Sequence, residues 1–168
     1  MRDEADFAAY LAARWPSLVR TLVLLGSARP EAEEVAREGM ARCHGSWGQV
    51  RKVDDVDAHV YGTVLDCWRR HRRRHPVPSD ATVVPDGTVA PDEGEDLPDE
   101  VLLCRALEGQ LAALLPEERE VLVLRFVAEL TESQVAEVLD VPVGAVTSRL
   151  PEALDRLDLA ALRAVSGR

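Results

Sequence analysis

The sequence predicts an all-α protein: two small helical domains joined by an acidic, proline-rich linker. Three observations lead there. Apolar residues recur at helical intervals in both halves of the chain, and the carboxy-terminal half holds two short helical patterns separated by a tight turn. The stretch between the halves carries prolines at 76, 78, 85, 91 and 98 and no helical period. The boundaries fall at 1–75, 76–98 and 99–168, and 46% apolar residues suffice for two cores, which must be mostly Leu, Val and Ala because aromatics are few.

In the first domain, Ala5 to Gly26 read as one helix, or two joined at Pro16, with Phe7, Leu11, Leu18, Leu22 and Leu25 at helical spacing. Pro30 and the acids Glu31, Glu33 and Glu34 open a second helix with inner positions Val35, Met40 and Cys43, running to His44-Gly45. A loop with Trp47 and Gly48 follows. The third helix starts near Asp54 or Asp55, buries Val56, Val60, Val64 and Cys67 or Trp68, and continues into Arg69-Arg70-His71-Arg72-Arg73-Arg74-His75.

Helix formation resumes near Asp99-Glu100, with Val101, Leu103, Leu107, Leu111 and Leu114 as an apolar stripe. Pro116-Glu117-Glu118 starts a further helix with acids favourable to its dipole and Val121, Leu122, Leu124 and Phe126 as buried positions. Thr131 caps the next, with Ser133 and Gln134 in its polar first turn and Val135, Val138 and Leu139 facing inward until it stops near Asp140. The last begins at Pro142 and repeats apolar side chains at Val143, Val146, Leu150, Leu154 and Leu157. Such a trihelical unit leaves the outer face of its third helix exposed, a shape that fits a DNA major groove.

Charge is uneven. The net formal charge is −10, yet residues 69–75 hold five arginines, whereas 76–100 hold eight acids and neither Lys nor Arg. A negative total is awkward for a nucleic-acid binder, and a concentrated basic patch answers it locally. The acidic start, MRDEADF, and the lack of any 18-residue apolar run point to a cytoplasmic protein without membrane insertion. Three widely spaced cysteines, at 43, 67 and 104, argue for reduced thiols rather than a disulfide framework.

The run LPEEREVLVLRF followed by TESQVAEVLDVPVGAVTSRL resembles the carboxy-terminal domain, region 4, of the extracytoplasmic-function sigma factors, promoter-recognition subunits of bacterial RNA polymerase. The first domain is similar to region 2 of the same family. The resemblance implies an all-α fold, core RNA polymerase and promoter DNA as partners, no cofactor, no catalytic residue and no metal, and it allows an anti-sigma factor as a further partner. Polymerase docking would fall to Glu33, Glu34, Val35, Arg37 and Glu38, where Arg37 replaces the usual Gln. The downstream promoter element would meet His59, Tyr61, Asp66, Trp68, Arg69, Arg70, Arg72, Arg73 and Arg74, where Asp66 replaces an Asn and the aromatic and arginine mixture suits single-stranded DNA. The upstream element would meet Ser133, Gly144, Thr147, Ser148 and Arg149, with Arg125 near a phosphate. The acidic linker would run through the polymerase cleft with Asp80, Asp86, Asp92, Glu93, Glu95 and Asp96.

Plainer readings stand beside these. An arginine run at a helix end also complements the helix dipole, Trp68 suits a core, and the acids of the second helix suit a solvated face. From Val141 to Leu157, Arg149 and Arg156 are balanced by Glu152 and Asp155, Thr147 stands where relatives carry Lys, and Pro151 removes a backbone hydrogen bond. Cys67, His71 and His75 share a helical face at i, i+4 and i+8, a zinc-type set without an evident fourth ligand. No phosphate loop or hydrolase motif is present. The reading is a non-enzymatic sigma factor. The alternatives are a sigma-like protein that regulates through protein contacts and a one-component helix-turn-helix regulator.

Overall fold

A computed structural model describes residues 2–76, 99–160 and 162; the linker at 77–98, with its acids, lies outside them, as do residues 163–168. The described residues form eight helices and no strand: α1 (Arg2–Leu24), α2 (Arg29–Gly45), α3 (Trp47–Val50), α4 (Val56–Arg74), α5 (Asp99–Ala113), α6 (Pro116–Phe126), α7 (Glu132–Leu139) and α8 (Val143–Asp155).

Helix α4 is the wall on which the first four helices assemble. It runs antiparallel to α2, for Gly39 of α2 faces Val64 while Glu31, two turns earlier, faces His71. Helix α1 lies alongside in parallel: Tyr10 and Arg14 both bind Asp57, Tyr10 Oη donating to its carboxylate at 2.6 Å, and Ser17 Oγ lies 2.9 Å from Tyr61 Oη. Burial, then the bond to Asp57, pushes the Tyr10 phenol above its ordinary pKa. These contacts pin both flanks of Pro16, and α1 continues unbroken through it, one helix rather than two.

Helices α6, α7 and α8 form the trihelical unit. Thr131 and Gln134 make a reciprocal capping box at the start of α7, and α7 ends in the left-handed Asp140 at φ 55°. Val135, Val138, Leu139, Val146 and Leu150 are buried as their spacing requires. Helix α8 runs on past Pro151 to Asp155, since Leu150 and Ala153 are packed on either side of it and Arg156 binds the buried carboxylate of Glu118 at 3.0 Å. Packing thus outweighs the lost hydrogen bond.

Three expectations need correction. Trp47 and Gly48 lie in the short helix α3 rather than a loop. Phe126 is 55% exposed, because α6 ends there and the chain turns inward to bury Ala128 and Leu130 instead. Val143 is also exposed, being the first residue of α8 and a turn ahead of buried Val146.

The two helical sets touch. Helix α7 packs on α4 and α6 on α1, so the buried side chains of both sets form one continuous cluster. Gln134 Nε2 donates to Asp55 at 2.6 Å, Arg69 pairs with Glu120 at 3.0 Å, and Ser17 Oγ donates to the Val127 carbonyl at 3.1 Å.

Close packing of α2 on α4 sets a test. A Cβ on Gly39 would lie 2.6 Å from Val64 Cγ2 and 2.9 Å from its Cα, whereas one on Gly62 would meet nothing within 4 Å. Gly39→Ala is expected to destabilise the protein by about 1–3 kcal/mol through overpacking. Gly62→Ala, in the same fold, should stabilise it by ~0.5–1 kcal/mol through helix propensity. Urea unfolding of both variants measures the contrast.

Candidate nucleic-acid interface

Two surfaces carry the residues singled out by sequence. On the trihelical unit, Ser133 of α7 and Gly144, Thr147 and Ser148 of α8 are exposed, and Arg149 is half-buried. Gly144, Thr147 and Ser148 share the outer edge of α8, by helical spacing. Thr147 Oγ1 lies 2.8 Å from a Glu132 carboxylate oxygen and 3.1 Å from the Val143 carbonyl, either of which can take its one proton, so a carboxylate that the sequence did not point to stands on this edge. Glu132 serves the dipole of α7 in its first turn, and that local role gives no sequence signal of its place beside Thr147. Arg125 is half-buried, its guanidinium 5.5 Å from the ring of Phe126.

The second surface runs along α4 from His59 to Arg74, and the structure divides its residues. His59, Asp66, Arg73 and Arg74 are exposed. Tyr61 and Trp68 are core residues, which corrects their reading as stacking platforms: the Tyr61 hydroxyl meets Ser17, and Trp68 Nε1 donates to Ser27 Oγ at 2.9 Å. An aromatic ring held under a helix in this way has no face left for a base. Three arginines have protein partners. Arg69 holds Glu120, Arg70 Nη2 lies 3.3 Å from Cys67 Sγ, and Arg72 donates to the Leu25 carbonyl at 3.5 Å while lying over the Trp68 ring.

On α2, Glu34 and Arg37 are exposed and Glu33 and Glu38 half-buried, tied into the i, i+4 pairs Arg29–Glu33, Glu33–Arg37 and Glu38–Arg42. Val35 is buried, so it supports the helix from beneath and is corrected as a docking contact. The face is a row of alternating charges, weakly held and open to a partner.

Cys67, His71 and His75 do not converge. Cys67 is buried beside Arg70, and burial pushes its thiol up and keeps it protonated; His71 Nε2 lies 3.5 Å from Glu31, and His75 stacks on His71. Among the described residues no three ligands are grouped for a metal, and no helix is long and apolar enough to cross a membrane.

Comparison with known proteins settles the family. Residues 110–158 match the model for sigma-70, region 4. The chain is 32% identical over 163 residues to the ECF RNA polymerase sigma factor RpoE of Cereibacter sphaeroides, covering 93% of this chain and 86% of that protein. The chain belongs to the extracytoplasmic-function sigma factors. This sigma factor is also 28% identical over 155 residues to the RNA polymerase sigma-E factor of Streptomyces avermitilis, spanning 90% of this chain and 83% of the relative. Among solved structures, it is similar to CnrH in complex with the cytosolic domain of CnrY, with a TM-score of 0.66 at 19% identity over 96% of this chain and 90% of the other. It is equally similar, at 0.66 and 18% identity over 96% and 97%, to the sigma factor RpoE bound to the anti-sigma factor NepR from Bartonella quintana. The two-domain helical fold is that of these sigma factors.

The turn that aims α8 offers a test. Asp140 holds φ 55° and is exposed. Asp140→Gly removes the left-handed penalty of an L residue and should raise stability by under about 1 kcal/mol without moving α8, as thermal unfolding will register.

Proposed function

We propose that this sigma factor binds core RNA polymerase and directs it to promoters through two DNA contacts, one on each helical set. The observation that carries the reading is the exposed edge of α8, with Gly144, Thr147 and Ser148 outward on a capped trihelical unit, in a chain that matches a named polymerase sigma factor along 93% of its length. Helix α8 offers hydroxyls and one half-buried arginine to a major groove. Arg73 and Arg74 offer exposed guanidinium groups to the phosphates of opened DNA, and His59 and Asp66 line the same helix. The charged outer face of α2, with Glu33, Glu34, Arg37 and Glu38, is the polymerase contact. The protein acts by binding rather than by catalysis. Two of the similar solved structures are complexes, one of them with an anti-sigma factor, and this supports an inhibitory partner of that kind for this chain.

A second reading is favoured by one feature, the near-neutral α8 with Glu132 beside Thr147: a sigma-like regulator that holds polymerase without reading the upstream element. Run-off transcription with purified core polymerase separates the two. Promoter-dependent transcripts support initiation; polymerase capture with no transcript supports the second reading.

Two variants locate the contacts. Arg73→Ala with Arg74→Ala is expected to reduce promoter opening and to flatten its salt dependence by about 0.7 in logarithmic slope for each lost single-strand phosphate. Unchanged permanganate reactivity of the opened region would remove these arginines from the mechanism. Thr147→Lys should tighten upstream-element binding and steepen its salt slope by about 0.9, and equal affinity in a fluorescence titration would place DNA elsewhere.

A further inference from the structure

The outward edge of α8 carries two hydroxyls, and both spend their protons inward. Thr147 Oγ1 lies 2.8 Å from Glu132 Oε2 and 3.1 Å from the Val143 carbonyl, so its one proton goes to one of these acceptors. Ser148 Oγ donates to the Ala145 carbonyl at 3.2 Å. Bonds of this kind, back to a hydroxyl's own helix, leave oxygen lone pairs rather than protons on the outside. Glu132, half-buried in the first turn of α7, adds a carboxylate at the same place.

Rigid elements hold this row of acceptors. The start of α7 is closed by the reciprocal bonds of Thr131 and Gln134, and Gln134 is itself held by Asp55 at 2.6 Å. On α8, Val146 is fully buried next to exposed Thr147, which fixes the rotation of the helix about its axis. Glu132 and Thr147 therefore keep their register.

Such a row discriminates among the four bases of a major groove. Guanine presents N7 and O6 there and thymine presents O4, all acceptors, against which a carboxylate is left desolvated and unpaired. Adenine sets the acceptor N7 beside its amino group. Cytosine presents the N4 amino group and no acceptor, and a phosphate is repelled by the like charge.

We infer that Glu132 is a base-reading residue, oriented by Thr147, that selects cytosine at one position of the upstream element. The inference rests on the reading of α8 as the promoter-facing helix and adds the base that this helix prefers. A near-neutral α8 then has a use. Its weak general attraction to phosphates is offset at one base pair only, so affinity is exchanged for selectivity.

The test is a selection of bound duplexes by the full chain assembled with core RNA polymerase, from a pool in which the upstream element is randomised, followed by sequencing. At one position the wild type should prefer cytosine to the other bases by about 5–20-fold, the lower part of the range for one base pair. Glu132→Gln exchanges an acceptor for an amide donor, the side chain that reads N6 and N7 of adenine together, and should move that position from cytosine to adenine. Glu132→Ala should leave it without a preference. Both variants keep the Thr131–Gln134 cap and should keep the preferences at the other positions, and a changed base at a single position cannot arise from lost stability. If Glu132→Ala enriches the same base as the wild type at every position, the inference fails while promoter reading by α8 stands. If Glu132→Ala tightens binding to all sequences alike, the carboxylate faces phosphate and the inference fails as well. A wild type that enriches no upstream element removes the promoter-facing reading of α8, and this inference with it.

Discussion

One carboxylate joins the two halves of this molecule. Asp55 accepts the Ala58 amide with one oxygen, capping α4, and the Gln134 side-chain amide with the other. The carbonyl oxygen of that same Gln134 accepts the Thr131 amide and closes the capping box of α7. The starts of two helices in different domains are therefore wired in series, each completing the hydrogen bonding of the other. Because α4 carries the arginines and α7 packs on both α4 and α8, the arginine-rich end of α4 and the outer edge of α8 are tied together through this chain of bonds.

The same contact constrains how the sigma factor can work. Arg69 is engaged by Glu120 of the other set, and Tyr61 and Trp68 are spent on the core beneath α4. What faces outward is a subset: His59, Asp66, Arg73 and Arg74 along α4, and Ser133, Gly144, Thr147 and Ser148 on α7 and α8. Burial of an aromatic ring excludes it from stacking more surely than any charge argument, since exposing it again would cost the surrounding packing. The arginines behave differently. Each can exchange one partner for another at small cost, because half-exposed ion pairs are weak.

The recognition helix shows local rule and tertiary context in opposition. Pro151 removes a hydrogen bond from α8, yet the helix continues, with Leu150 and Ala153 buried and Arg156 tied to Glu118. Pro16 in α1 is tolerated for a similar reason, with Tyr10 and Arg14 clamped to Asp57 on one side and Ser17 held on the other. In both helices the missing bond is local, whereas the burial that offsets it is spread over a whole face.

By itself the amino-acid sequence determined the all-α class, a helix start near Asp54 or Asp55, the capped start at Thr131, the stop near Asp140 and the helix-turn-helix resemblance. Each of these rests on residues within a few positions of one another, where spacing and capping chemistry act directly. Tertiary structure alone decided which members of the arginine and aromatic cluster are free. That depends on residues distant in sequence: Ser27 under Trp68, Ser17 beside Tyr61, Glu120 on Arg69, and Arg119 facing Arg72 across Gly26. Helical periodicity tells which face of α4 turns inward, and only the packing of α1, α2 and α6 around it fixes how wide that buried face is.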